Sequence, residues 1–105
     1  MEGLENIMVK HIVMWKLKEF AEGEDKKANA IKIKKKLEAL QGVVPGAYKM
    51  EVGINYNPGG YDVVLYSEFD DHDALESYQI HPEHLRVKEF IHNVIISRVV
   101  ADYMI

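Results

Sequence analysis

Hydrophobic and polar side chains alternate from Ile7 to Leu17, which predicts a strand. Val9, His11, Val13, Trp15 and Leu17 fall on one face, and Met8, Lys10, Ile12, Met14 and Lys16 on the other. The middle of this strand is apolar on both faces, with Val13 and Trp15 against Ile12 and Met14. Each side therefore needs a cover, where a half-solvated strand needs only one. After a polar linker (Glu19 to Asp25), Ala30, Ile33, Leu37 and Leu40 recur at steps of three or four and predict an amphipathic helix from Lys26 to about Gln41. Gly42 and Pro45-Gly46 supply its stop signal. Period-two patterning returns at Tyr48 to Ile54 and at Tyr61 to Phe69. The turn-rich run Asn55 to Gly60 between them makes the pair a long-looped hairpin. Asp70 or Asp71 is placed to cap a short helix carrying Ala74, Leu75 and Tyr78. Past Pro82 the stripe Val87, Phe90, Ile91, Val94 and Ile95 predicts a third helix, flanked by Arg86, Lys88, Glu89, His92 and Asn93. Ser97 to Ile105 alternates again and closes the chain as a strand.

The order β-α-β-β-α-(α)-β is that of the split βαβ arrangement. It is an α+β, ferredoxin-like fold in which an antiparallel sheet carries its helices on one face. The other face receives one apolar set from the strands, and exposed apolar surface of that extent is rare. A two-fold homodimer with the sheets facing each other, a dimeric α/β barrel, covers it and leaves a cleft beside each sheet. Residues 7–105 form the expected domain, with 1–6 as a frayed lead-in.

Composition narrows the picture. A chain of 105 residues, 48% hydrophobic and 29% charged, is the size of one globular domain. Its net charge of -4 lacks the basic balance of a nucleic-acid binder, and Lys32, Lys34, Lys35 and Lys36 read as the solvated face of the first helix. The absence of cysteine excludes disulfides, thiolate metal sites and cysteine nucleophiles. No apolar run reaches the ~20 residues of a membrane span, and the first residues lack the basic and apolar regions of a signal peptide. A cytoplasmic protein without nucleic-acid or membrane partners is expected.

Chemically able side chains concentrate in Tyr78-Gln79-Ile80-His81-Pro82-Glu83-His84. A histidine titrates near neutrality, so His84 is the candidate general base, with Tyr78 as its partner or as an acid. At helical spacing His84 leads the row Val87, Ile91 and Ile95, which turns its ring inward toward a pocket or toward the core. His81 precedes a proline that suits the first turn of a helix, so a structural role stands beside ligand contact for it. His11 shares a face with Val9, Val13 and Trp15 and must be satisfied by a partner or lie in a cavity. Trp15, Tyr66 and Phe69 read as packing, and His72 and His92 as exposed. The end of the first helix presents free carbonyls and the negative end of the macrodipole, where a cation fits on backbone oxygens.

Several stretches together resemble the stress-responsive dimeric α/β-barrel (Dabb) family. They are Lys10-His11-Ile12-Val13, Val44-Pro45-Gly46, Tyr61-Asp62 through Ser67-Glu68-Phe69, Tyr78 through His84, and Val99-Val100-Ala101-Asp102-Tyr103. The resemblance runs from about Val9 to Tyr103. It implies a ferredoxin-like fold whose two subunits join their sheets into a barrel. Similar proteins include plant stress-stable proteins and a plant polyketide cyclase. In that cyclase the acid/base work falls on the positions of Tyr78 and His84, and a pocket histidine on that of His11. A further pocket histidine of the cyclase is replaced here by Val63. Some relatives hold magnesium on backbone oxygens at positions matching Gln41, Val44 and Ala47, which would make that ion a structural one. No other cofactor is implied.

Three functions stay open at this point. One is a homodimer binding a small, largely apolar or carbonyl-bearing molecule through His11, Tyr78, His81 and His84. Another is a cofactor-free cyclase, lyase or isomerase using His84 and Tyr78. The last is a purely structural stress protein.

Overall fold

The computed structural model describes residues 8–105, so the lead-in 1–6 and Ile7, the predicted start of the first strand, lie outside the described residues. Among the described residues six strands and three helices follow in order. They are β1 (Val9–Leu17), β2 (Phe20–Ala21), β3 (Glu24–Asp25), α1 (Lys26–Glu38), β4 (Ala47–Ile54), β5 (Val63–Phe69), α2 (His72–Ile80), α3 (Pro82–Val94) and β6 (Ile95–Met104). Four strands make one antiparallel sheet in the order β4-β5-β1-β6. This is the ferredoxin-like α+β arrangement expected from the element order.

The period-two pattern decides which face is buried. Val9, His11, Val13, Trp15 and Leu17 of β1 are all buried beneath the helices, together with Val63, Leu65, Ser67 and Phe69 of β5 and Met50 and Val52 of β4. Ile33 and Leu37 of α1, Leu75 and Tyr78 of α2, and Val87, Ile91 and Val94 of α3 close the same core. Each such apolar side chain stabilises the fold by roughly 1.5–3 kcal/mol through burial. The opposite face carries Ile12, Met14, Val64, Val99 and Tyr103, half-buried or exposed in the single chain. A polar triad is embedded in it. The Lys10 ammonium donates to the Tyr66 hydroxyl and to Glu68, both at 2.9 Å, and the Tyr66 hydroxyl donates to Glu68 at 2.7 Å. The hydrogen bonds from Tyr66 and from Lys10 hold the Glu68 carboxyl below its ordinary range.

Several boundaries differ from the sequence expectation, among them the start of β5 at Val63, where the alternation predicts Tyr61, and of β6 at Ile95, which the sequence places at the end of the third helix's stripe. The polar linker contains a miniature hairpin, in which Phe20 pairs with Asp25 and Ala21 with Glu24. Glu22 (φ 52°) and Gly23 (φ 77°) both take positive φ at its turn, as a two-residue turn with the twist of flanking strands requires. Buried Asn29 fastens the hairpin, donating to the Ala21 carbonyl at 2.9 Å. Helix α1 ends at Glu38, short of Gln41, because the N–H groups of Leu40 and Gln41 bond three residues back, to Leu37 and Glu38. The last turn thus tightens before Gly42 reverses the chain at φ 83°.

Strand β4 is an edge of the sheet, yet its outward backbone is not left free. Glu38 accepts from the Val52 N–H at 3.0 Å, Lys34 donates to the Val52 carbonyl at 2.7 Å, and Gln41 accepts from the Met50 N–H at 3.2 Å. One side of α1 and the turn after it therefore occupy the groups that another strand would use.

Gly46 has φ 83°, and a Cβ built there would stand 2.8 Å from the Ala74 Cβ in α2. Gly42 shares that φ but has open space around it. Gly46→Ala is expected to destabilise by about 2–3 kcal/mol and Gly42→Ala by about 1 kcal/mol, measured by urea unfolding. Equal losses at the two positions would show that the contact with α2 is unimportant.

Candidate functional site

Beneath the helices, at the β6 side of the sheet, lies a cavity of about 420 Å³. Its position follows from the packing. The helix-facing side of β6 carries Arg98, Val100 and Asp102, and these stay exposed because the helices do not close over that strand.

The segment between α2 and α3 aims the site. Asp71 caps α2 by accepting from the Ala74 N–H at 2.8 Å. The helix ends at His81, whose extended backbone (φ -63°, ψ 135°) is the conformation a following proline imposes. Pro82 then starts α3, and the His81 Nδ1 accepts from the Glu83 N–H at 3.1 Å as its N-cap. His81 is thus placed at the helix junction, the structural position expected for it, and is not among the residues lining the cavity. Its capping bond occupies the ring nitrogen nearest the backbone.

One turn on, His84 lines the cavity; its inward row leaves pocket and core both open. Its Nδ1 lies 3.2 Å from the Gln79 carbonyl. That oxygen only accepts, so Nδ1 carries the hydrogen and Nε2 is left as an acceptor. Burial pushes the imidazole below its ordinary pKa, the charges of Lys88 and Arg98 add to this, and the bond to Gln79 opposes it. His84 is therefore neutral near pH 7.

The His84 ring sits 4.3 Å from that of Tyr78, centroid to centroid. Tyr78 packs 5.0 Å from Phe69 and 6.3 Å from His11, so it stands between the two histidines. The Tyr78 ring lines the cavity, while its hydroxyl is sealed from solvent and has no hydrogen-bond partner. Burial raises its pKa, which keeps it protonated and able to donate.

His11 is 3% exposed and also lines the cavity. Its Nδ1 lies 2.5 Å from Asp102 Oδ1, across the directly paired positions of β1 and β6. Sequence reasoning asked for such a partner without finding it, since Asp102 is 91 residues away. The signal was latent in the alternation of β6, which places Asp102 on the helix-facing side once β1 and β6 are set in register. Lys88, His92, Arg98 and Gln79 were also missed as lining residues. His92 is exposed, as expected, and lines the cavity as well. Val63 pairs with Trp15 and is buried in the core.

At the turn after α1, the Val44 carbonyl, one of the three backbone oxygens expected to hold magnesium, accepts from the Ala47 N–H at 3.3 Å. Magnesium takes six oxygens in near-octahedral array, so water would have to supply the remainder. Among the described residues the one cluster with metal-ligand spacing, His72, Asp73 and Glu76, is exposed on α2. No helix among the described residues is long and apolar enough to cross a membrane.

An antiparallel sheet of the ferredoxin-like class, with a cavity beneath its helices lined by His11, Tyr78 and His84 among others, is what these residues build. Residues 9–105 match the sequence profile of the stress responsive A/B barrel domain, and the chain belongs to that family. A dimeric protein of unknown function with a ferredoxin-like fold, from Bacteroides fragilis NCTC 9343, is 38% identical. It superposes with a TM-score of 0.84, the match covering 93% of this chain and 96% of that one. The hydroxynitrile lyase of Passiflora edulis shares the fold at 20% identity, with a TM-score of 0.76 and 93% of each chain covered. SnoaB, a cofactor-independent oxygenase from Streptomyces nogalater, shares it at 12% identity, with a TM-score of 0.73 and 91% and 90% covered. No curated protein matches the chain in sequence.

A buried hydroxyl without a partner costs about 1–3 kcal/mol of desolvation. Tyr78→Phe is accordingly expected to leave the protein as stable as the parent or to stabilise it by about 1 kcal/mol in urea unfolding. A loss above about 1 kcal/mol would mean that the hydroxyl is satisfied in solution.

Proposed function

We propose that the protein is a homodimer that binds a small, largely apolar, carbonyl-bearing molecule in the cavity of each subunit. The observation that carries the reading is the convergence of His11, Tyr78 and His84 on one cavity of about 420 Å³. A space of this size lined by apolar walls and a few polar groups has the character of a small-molecule site. The dimer has separate support. The outer sheet face holds Ile12, Met14, Val64, Val99 and Tyr103, with Met14, Val99 and Tyr103 about two-fifths exposed, and the relative from Bacteroides fragilis is described as dimeric.

One observation favours a second reading, catalysis of proton transfer without a cofactor. With Nδ1 held by Gln79, the neutral His84 presents Nε2 as a base. In a cyclase, lyase or isomerase it would take a proton from the carbon beside a carbonyl, leaving negative charge on the oxygen. The Tyr78 hydroxyl is protonated, without a partner and sealed from solvent, so it would serve as the donor for that oxygen only where binding uncovers it. A relative of this fold being a lyase and another a cofactor-independent oxygenase agrees with chemistry of this kind.

Light scattering at micromolar concentration is expected to give twice the 12.1 kDa chain mass, and a monomer would overturn the dimer. A thermal-shift screen against small carbonyl, phenolic and carboxylic compounds is expected to yield a chemically coherent set of stabilising ligands, because any molecule that binds only the folded state raises its stability. The same set should weaken at least about tenfold in His84→Gln, a loss of about 1.4 kcal/mol. Silence across the screen from a folded dimer would sink the pocket.

A further inference from the structure

His84, Lys88 and His92 stand at successive steps of four along α3, so they share one face of that helix, and all three line the cavity. Arg98 faces them from β6. It lies directly opposite Trp15 in register, on the helix-covered side of the sheet. Lys88, His92 and Arg98 are exposed, while His11, Trp15 and Tyr78 are buried, so the first three form the rim and the others the floor.

The rim is cationic in a chain whose net charge is -4. Among the described residues neither Lys88 nor Arg98 is within ion-pair distance of a carboxylate, whereas Arg86, on the same helix, is bound to Glu83. Asp102, the one carboxylate lining the cavity among the described residues, is engaged by His11. Lys88 stands one helical turn from His84, so a rim cation lies beside the cavity wall. Below the rim the walls are apolar, formed by Trp15, Leu65, Ile91 and Val100 among others.

We infer that the cavity selects an anionic amphiphile, a small carboxylic acid whose apolar body lies against Trp15, Leu65, Ile91 and Val100 and whose carboxylate is held at the rim by Lys88 and Arg98. The inference rests on the binding reading above and narrows it to one class of ligand. An apolar wall alone discriminates weakly between an acid and its uncharged analogue. Two cations at the mouth discriminate by charge.

Trp15 is the single tryptophan of the chain and lines the cavity, so its fluorescence reports occupancy. The test titrates the wild-type protein with 4-phenylbutanoate and with 4-phenylbutanamide, which match in shape and differ in charge. The carboxylate is expected to bind about tenfold more tightly, the effect of one charge-assisted contact. Added salt should narrow that ratio by weakening the carboxylate selectively, and the Lys88→Gln/Arg98→Gln double variant should bring it close to one. The salt series on the wild type reads the same property without relying on the variant's folding. Equal affinities, a preference for the amide, or a preference that survives both salt and the double substitution would overturn the anion selectivity while leaving the pocket standing. Failure of both compounds to perturb Trp15 would overturn the selectivity and the pocket together.

Discussion

The structure depends on a strand that leaves no side for water. β1 is hydrogen-bonded along both edges, to β5 and to β6, and carries apolar side chains on both faces. Its backbone groups are satisfied by neighbours that arrive much later in the chain, so the fold is closed by long-range pairing. The helices supply the cover for one face, and their spacing of apolar residues follows from that demand. Placing a histidine at the centre of such a strand brings a second requirement, because an imidazole with no partner there would be costly. Asp102 on β6 meets it, which ties the last strand to the first by a side-chain contact as well as by the ladder.

The site is built where this packing is incomplete. α2 and α3 are one helical run broken at His81-Pro82, and the break has two effects. It uses His81 to cap the new helix, and it frees the Gln79 carbonyl to accept from His84. Two histidines three residues apart in sequence therefore do unlike work, one at a junction and the other at a cavity wall. The Tyr78 ring, inserted between His84 and His11, keeps the two imidazoles apart while both line the same space.

Local pattern made most of the fold readable. The alternation of β1, the three-and-four spacing of α1 and α3, and the turn signals around Gly42 and Asn55 to Gly60 are properties of neighbouring residues, and so survive in a bare sequence. The hairpin of β2 and β3 did not, because strands of two residues have no period and Glu22 carries no glycine-like warning of its positive φ. His84 was legible through its helical row. Asp102 was hidden because its pairing with His11 is a matter of register between distant strands. Lys88 and His92 were hidden for another reason. Charged residues on a helix normally face solvent, and here the same face also overlooks a cavity mouth, which only the position of β6 reveals.

The two borders of the sheet are chemically unlike. Along β4 the side chains of Lys34, Glu38 and Gln41 fill the outward backbone positions of Met50 and Val52. Along β6, among the described residues, no side chain does the same. A sheet with two open borders is able to add copies of itself without limit, growing into a ribbon. With the β4 border sealed, that ribbon cannot form, and a second copy is directed to the apolar outer face instead. The polar groups of α1 and of the turn after it, which look like ordinary surface decoration, thus act as a terminator to growth at that edge.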